Sequence, residues 1–326
     1  MNNKNNVYRT GNAIYNRLKS VVGKRWCLGV VFSILVVFAC IYAARPEFIH
    51  RKINSVHSLL KKADVKMNLR DKVCKSSVLL QTSDCSKGLN QPELWIAHGG
   101  GVGEFFYTNC EEAVKDSLSR GFRYIELDIS ITTDGHLVGA HTWSELRALL
   151  GADNTGNQAM SRSEIEALKS KWKRTPLFEE DICRLMQENP DMVLVTDKIQ
   201  DFDLLMEKIP FPERMIVEAF DTHHYLSACR AGFSHVALTV WSIHGLMQAM
   251  EYQLPAIVLA AQVVDSQSEA LPLIEELHRS GCCIMVHWAS ICDKPEFVHK
   301  YLGRSISRIY TDTWSPQQPP SLPEGL

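Results

Sequence analysis

Short apolar runs alternate with amphipathic stretches from about residue 94 to the end of the chain. The apolar runs have the length of strands that are buried on both faces. The candidate strands are 94–97, 124–130, 192–198, 215–218, 235–240, 256–260, 283–286 and 306–310. Helical spacing of apolar positions occurs between them, over 110–119, 177–188, 202–208, 223–230, 242–252, 266–279 and 294–301. About eight strand–helix repeats predict an α/β fold with a parallel sheet, and favour a closed TIM-type (β/α)8 barrel over a doubly wound sheet.

A different apolar pattern lies near the N-terminus. Residues 26–44 contain no charged residue, and nineteen helical residues at about 1.5 Å each span roughly one hydrocarbon core. Trp26 and Tyr42 lie at its two ends, where aromatic rings favour the membrane interface. The pattern predicts one transmembrane helix. A cleaved signal peptide is the alternative, but the preceding 25 residues are long for one.

Composition is that of a globular protein, with 45% hydrophobic and 22% charged residues among 326. The net charge of −2 conceals a division along the chain. Residues 1–89 carry 16 Lys and Arg against 4 Asp and Glu, whereas residues 90–326 carry 19 against 33. An acidic barrel is a poor partner for nucleic acid, whose phosphates dominate affinity, so no nucleic-acid partner is expected. The basic N-terminal part is expected at a membrane.

These patterns divide the chain into four segments. We predict a basic tail over 1–25, a transmembrane helix over 26–44, a basic helical stem over 45–92 and a barrel over 93–326. The tail has six basic and no acidic residues, which favours a cytoplasmic N-terminus and a barrel on the extracytoplasmic side, although basic residues also follow the helix. The narrow apolar stripe of the stem fits membrane-surface docking, self-association or a solvated spacer.

Candidate chemistry gathers at the ends of the first strands, where barrel active sites lie. His98 ends the first strand and is followed by three glycines, which let backbone amides approach an anion. Glu126 and Asp128 are two residues apart and therefore share one face of the second strand. Two carboxylates that face a barrel interior need a cation, and a divalent metal with oxygen ligands provides one. The alternative, an exposed strand, is disfavoured by the aliphatic residues on its other face.

A second histidine belongs with this group. Asp134-Gly135 predicts a tight turn, after which a short strand leads to His141. Two histidines at strand ends beside two carboxylates are typical of an acid–base pair around a metal.

These motifs resemble those of the glycerophosphodiester phosphodiesterase family, within the phosphatidylinositol-phospholipase-C-like barrels. The resemblance extends over about 94–316. The segments that carry it are His98-Gly99-Gly100, Ile125-Glu126-Leu127-Asp128, Asp134-Gly135, His141, Thr175-Pro176-Leu177, Trp288 and Thr311-Asp312. The order and spacing of the first four are the specific part of the match.

The resemblance implies roles for individual residues. It makes His98 and His141 the general acid and base, and Glu126 and Asp128 the ligands of Mg²⁺ or Ca²⁺. It also implies that Lys198 contacts the phosphate. Gly99 and Trp288 are candidate substrate contacts, through a backbone amide and through ring stacking.

Three positions depart from the family pattern. Gly99 replaces an arginine, Thr196 replaces a third acidic ligand, and Thr142 replaces an aspartate. If the third strand is regular and Lys198 faces the pocket, alternation turns Asp197 outward and leaves a two-carboxylate site completed by Thr196 or water. A bulge would instead bring Asp197 in as the third ligand.

The sequence thus predicts a membrane-anchored, metal-dependent phosphodiesterase acting on a small glycerol-type or lipid-derived phosphodiester. Two alternatives use the same residues. One is phospholipase- or lyase-type cleavage through a cyclic phosphate. The other is a catalytically weakened barrel that binds phosphorylated lipid or glycan. The choice of metal, the alcohol groups of the substrate and the oligomeric state remain open.

Overall fold

A computed structural model describes residues 78–83, 86, 88–152, 156–168, 174–266 and 268–321. All of them belong to the second of two compact units, Val65–Leu326. The expected tail 1–25, transmembrane helix 26–44 and most of the stem 45–92 lie outside the described residues. Within the described ranges, no helix is both long and apolar enough to cross a membrane.

Eight parallel strands form a closed ring, in the order β1-β9-β8-β7-β6-β5-β4-β2, and β2 pairs with β1 to complete it. A short strand, β3, pairs antiparallel with β2 outside the ring. The strands are β1 (Trp95–Ala97), β2 (Tyr124–Ile131), β3 (Leu137–Gly139), β4 (Val193–Asp197), β5 (Met215–Ala219), β6 (Val236–Val240), β7 (Ala256–Ala260), β8 (Cys283–His287) and β9 (Arg308–Thr311). The predicted closed parallel barrel is confirmed.

Helices cover the outside of the ring. They are α1 (Glu111–Ser119), α2 (Trp143–Leu149), α3 (Arg162–Ala167), α4 (Glu179–Glu188), α5 (Phe202–Lys208), α6 (Thr222–Ala231), α7 (Ile243–Tyr252), α8 (Ala261–Ser266), α9 (Ala270–Arg279), α10 (Ala289–Cys292) and α11 (Pro295–Tyr301). The sequence did not predict α2, α3, α8 or α10, because helices this short offer too few positions for a periodicity to emerge.

The lower part of the barrel interior is filled by a mainly apolar layer of side chains. Ile96, Tyr124 and Met285 pack there with Leu79 and Leu80, which precede the first strand and are buried. A hydrophobic bottom layer leaves no solvent path through the barrel. Arg308 is buried within this layer and donates to the Tyr124 hydroxyl and to Cys283 Sγ. The acidic residues and the cavity lie at the opposite, C-terminal end of the strands.

Strand register brings acidic side chains together at that end. Asp128 on β2 pairs with Asp197 on β4. On its other side β4 pairs with β5, where Thr196 lies opposite Val217. Glu218, one residue further along β5, therefore lies beside Asp197. Because in-register neighbours share a face of the sheet, three adjacent strands direct carboxylates to the same place.

Candidate active site

Three carboxylates, two of them buried and that of Asp197 half-buried, form the centre of the site. Oxygen atoms of Glu126, Asp128 and Asp197 all lie within 4.8 Å of one another. The Gly99 amide donates to Glu126 Oε2 over 2.6 Å, and Asn109 Nδ2 donates to Asp128 Oδ2 over 2.9 Å. The Asp128 amide donates in return to Asn109 Oδ1, which fixes the second strand to the loop after the first. Two of the carboxylates are therefore held in place by the protein.

The expectation that Asp197 points outward is wrong. The β4 strand is regular, and Asp197 lines the cavity, while Thr196 faces away and donates to the Leu127 carbonyl over 2.9 Å. Lys198 lies beyond the strand, where a positive φ of 63° brings it back to the cavity rim. Alternation holds only within a strand, so Lys198 does not set the orientation of its neighbour. Both faces of β4 are buried, and hydrophobicity could not reveal which residues point inward.

The electrostatics of the three-carboxylate cluster favour a bound cation. Burial raises the pKa of Glu126 and of Asp197, and the nearby charge of Asp128 raises both pKa values further. Asp197 Oδ1 is buried and has no hydrogen-bond partner among the described residues. Clustered carboxylate oxygens with an unpartnered atom fit a hard divalent ion such as Mg²⁺ or Ca²⁺. Glu126, Asp128 and Asp197 would hold it.

Each histidine of the expected acid–base pair has a carboxylate partner. His98 Nδ1 lies 2.9 Å from Asp312 Oδ1, because β1 and β9 are neighbours and both residues come directly after their strands. His141 Nδ1 lies 2.8 Å from Glu145 Oε2, one turn along α2. Thr142 caps α2 and also donates to Glu145 over 2.8 Å. In both pairs the carboxylate occupies Nδ1 and leaves Nε2 for a ligand.

Glu145 explains one departure from the family pattern. Thr142 stands where an aspartate follows the second histidine in the family, and Glu145 supplies the carboxylate instead. Glu145 was not predicted from the sequence, although a glutamate four positions after a histidine at a helix start is a recognisable spacing.

The site lies in a cavity of about 720 Å³ that has two different sides. The three-carboxylate cluster and the two histidines form one side. The other side is aromatic, with Phe220, Trp241 and Trp288 on the loops after β5, β6 and β8. These are three of the five large hydrophobic side chains that are exposed in the described part of the chain. Trp288 was a candidate from the sequence, whereas Phe220 and Trp241 were not recognised.

His287 and Glu218 are further polar residues of the cavity. His287 and Trp288 both line the cavity, although adjacent residues of a regular strand point to opposite faces. A left-handed backbone at Trp288, with φ 91°, breaks the alternation directly after β8. Burial lowers the pKa of His287 to about 4, so this imidazole is neutral at neutral pH. Glu218 accepts a hydrogen bond from the Tyr310 hydroxyl, and burial raises the pKa of this carboxyl to about 7.

Gly99 and Lys198 differ in their relation to the cavity. Gly99 is buried, and its amide already donates to Glu126, so it offers no free N–H to a phosphate. Its role is to orient a carboxylate. Lys198 lines the rim and is exposed. Among the described residues that line this cavity it is the single lysine or arginine, against five carboxylates: Glu126, Asp128, Glu218, Asp197 and Asp312. An anionic substrate would be repelled unless a cation offset that charge.

Fold and site together define a (β/α)8 barrel with an acidic, histidine-flanked cavity at the C-terminal ends of its strands. No protein-family model matches the chain, and no curated protein matches it. Solved structures do match.

A glycerophosphodiester phosphodiesterase from Thermotoga maritima is 19% identical, with a TM-score of 0.53, over 67% of this chain and 94% of that one. One from Agrobacterium tumefaciens is 17% identical, with a TM-score of 0.51, over 69% of this chain and 98% of that one. A phosphodiesterase from Oleispira antarctica, solved with the product sn-glycerol-3-phosphate, is 14% identical, with a TM-score of 0.51, over 69% and 94%. At these identities the similarity establishes the barrel fold.

Proposed function

We propose that the chain is a divergent member of the glycerophosphodiester phosphodiesterase family and hydrolyses a phosphodiester. One observation carries the proposal: two histidine–carboxylate pairs flank a three-carboxylate cluster in a single cavity. The fold similarity to glycerophosphodiester phosphodiesterases supports it. The ordered sequence motifs support it independently.

The two histidines divide the proton transfers. One Nε2 accepts the proton of the attacking water, and the other donates a proton to the departing alcohol oxygen. Asp312 and Glu145 would each accept a hydrogen bond from Nδ1 of a histidine, which orients the ring and leaves Nε2 for the substrate. A bound Mg²⁺ or Ca²⁺ would neutralise phosphate charge and support formation of the nucleophile. Lys198 would add a point charge at the rim.

The aromatic side of the cavity bears on the substrate. Phe220, Trp241 and Trp288 offer apolar surface next to a polar centre. This arrangement suits a phosphodiester with one glycerol-type alcohol and one alcohol that carries an apolar group, as a lipid-derived diester does. Attack by a substrate hydroxyl instead of water would give a cyclic phosphate, and phosphorus NMR of the product separates the two reactions.

The proposed activity is tested with glycerophosphodiesters and lysophospholipids in the presence of Mg²⁺ or Ca²⁺. We expect release of a phosphomonoester, lost on chelation and restored by adding the metal. Metal-dependent binding of sn-glycerol-3-phosphate with no turnover of any diester would instead support a binding barrel.

The carboxylate partners of the two histidines differ in exposure, so we expect their replacement to lower kcat by different amounts. The Asp312 side chain is 28% exposed and that of Glu145 is 54% exposed. We expect Glu145→Gln to lower kcat only about 2- to 5-fold, because solvent screens an exposed pair. Asp312→Asn should cost more, about 10-fold or above, since its interaction is less screened. Steady-state kinetics with both variants checks the order, and an equal or reversed effect would contradict it.

We further propose that the enzyme is anchored in a membrane by residues 26–44, with the barrel on the extracytoplasmic side. The uncharged segment and the basic tail support this. The full-length protein is expected to stay in the membrane pellet after an alkaline carbonate wash. Leu35→Arg with Val36→Arg should release it, because each charge at the centre of a span costs about 2.5–3.5 kcal/mol. Release of the unmodified protein by the wash would contradict the anchor. A C-terminal reporter that is active only in the cytoplasm would contradict the orientation.

A further inference from the structure

The loop after β1 occupies the space next to His98 where the family pattern has an arginine. Gly99 has a φ of 53°, and a Cβ atom there would lie 2.5 Å from Tyr107 Cα and 2.9 Å from Tyr107 Cδ2. The Asn109 amide donates to the Gly99 carbonyl over 2.7 Å, which holds the loop in this position. No side chain fits at Gly99, so an arginine could not be accommodated without moving the loop.

Tyr107 fills that space in an unfavourable backbone conformation. Its φ is 59°, in the left-handed region that bulky residues seldom adopt. Such strain persists where the surroundings impose it, and it clusters at functional sites. The ring contacts both histidines, with centroids 4.6 Å from His98 and 4.8 Å from His141. Tyr107 is therefore in contact with both members of the expected acid–base pair.

The Tyr107 hydroxyl is available as a hydrogen-bond donor. Tyr107 lines the cavity, and it makes no side-chain hydrogen bond to any residue in the described ranges. Burial raises the pKa of the phenol, and the charges of Asp128 and Glu126 raise it further. The hydroxyl thus keeps its proton throughout the working pH range, and it can donate to an anion without adding charge.

We propose that the Tyr107 hydroxyl donates a hydrogen bond to a non-bridging oxygen of the substrate phosphate, in place of the missing arginine. This inference rests on the proposed function. If His98 and His141 act on the attacking and leaving oxygens, the phosphorus atom lies between them, next to the Tyr107 ring. A neutral hydroxyl group orients the substrate phosphate but adds no positive charge. Neutralising the phosphate charge would therefore fall to a bound cation and to Lys198.

The test compares Tyr107→Phe with the unmodified full-length protein. The Phe variant keeps the ring against both histidines and removes only the donor. Two measurements are made with Mg²⁺ present: hydrolysis of bis(4-nitrophenyl) phosphate, and calorimetric binding of sn-glycerol-3-phosphate. We expect kcat/KM and product affinity each to fall about 10- to 100-fold, the size typical of a hydrogen bond to a charged group. Affinity for Mg²⁺ alone should be unchanged.

Tyr301→Phe is the matched control, because Tyr301 is a buried tyrosine on α11 whose ring packs on Phe297 and does not line the cavity. Both measurements should stay at the unmodified level. Activity in Tyr107→Phe equal to that of the unmodified protein would overturn the proposed hydrogen bond. A loss of activity seen only in Tyr107→Ala would also overturn it, because the ring would then have a packing role.

The outcomes also separate this contact from the proposed function. Tyr107-dependent binding of sn-glycerol-3-phosphate without turnover of any diester would support the contact and overturn the phosphodiesterase. Turnover that Tyr107→Phe leaves unchanged would overturn the contact and support the phosphodiesterase. Absence of both binding and turnover in the unmodified protein would overturn both.

Discussion

His98→Ala and His141→Ala should each reduce turnover about 10²-fold or more, as expected when a general acid or base is removed from a positioned pair. Each imidazole lies in the cavity and has its Nδ1 within 2.9 Å of a carboxylate oxygen. The loss should appear in kcat, because the histidines move protons in the transition state and substrate binding depends on other groups. Steady-state kinetics with a diester at saturating metal measures it.

His223→Ala is the matched control for the histidine variants. His223 lies in the first turn of α6 and is exposed, outside the residues that line the cavity. Its removal should leave turnover and stability nearly unchanged. His136, in the turn between β2 and β3, is a poor control. Its Nδ1 lies 2.8 Å from Glu179 Oε1, so its replacement would disturb the contact between the β2–β3 turn and α4. Normal turnover in either active-site variant would remove that histidine from the mechanism.

The strand pattern was predictable because the barrel repeats one physical motif. Every strand buried on both faces leaves an apolar run, and all eight ring strands lie within two residues of the predicted bounds. Burial on both faces also means that the residue types do not show which side chains point into the barrel. In β4 and β8 both faces are buried, so nothing in the residue types shows that Asp197 and His287 point inward. Only the pairing of each strand with its neighbours decides this.

Contacts between distant segments were the other part that the sequence could not supply. The family motifs identified His98 and the two carboxylates of β2 because these residues lie in short, ordered segments. The pairing of His98 with Asp312 joins positions 214 residues apart and depends on ring closure. The position of Tyr107 depends on a left-handed loop that no residue type signals. Glu218 could have been predicted as a cavity residue, because a carboxylate inside an otherwise apolar strand is unusual.

Asp197→Asn is expected to abolish metal-dependent activity as completely as Glu126→Gln does. The physical reason is the geometry of the three-carboxylate cluster, in which Asp197 contributes a buried oxygen with no other partner. Removing one of three anionic ligands weakens the binding of a hard divalent ion, which prefers charged oxygen donors. Titration calorimetry with Mg²⁺ and Ca²⁺ provides a readout that is independent of activity. Folding is checked by circular dichroism.

The neighbour of Asp197 provides the control. Thr196 faces the layer between strands and helices, where it donates to the Leu127 carbonyl. Thr196→Val should leave metal affinity unchanged at a cost of about 1 kcal/mol in stability from the lost hydrogen bond. Thr196→Glu should destabilise the barrel instead of tightening the metal site, because it would bury an unpaired charge. Tighter metal binding in Thr196→Glu would show that the inward and outward faces of β4 are reversed.

The same cluster makes stability depend on pH in a defined direction. Burial and mutual repulsion raise the pKa values of Glu126 and Asp197 above those of the unfolded chain. Between the unfolded and the raised folded pKa values the folded state binds more protons, so the metal-free protein loses stability as pH rises. A divalent ion binds the ionised carboxylates and offsets this loss. The increase in Tm on adding Mg²⁺ or Ca²⁺ should therefore be larger at about pH 8 than at about pH 6, and smaller in Asp197→Asn at both. An increase that is equal at both pH values, or unaffected by Asp197→Asn, would exclude these carboxylates as the cation site.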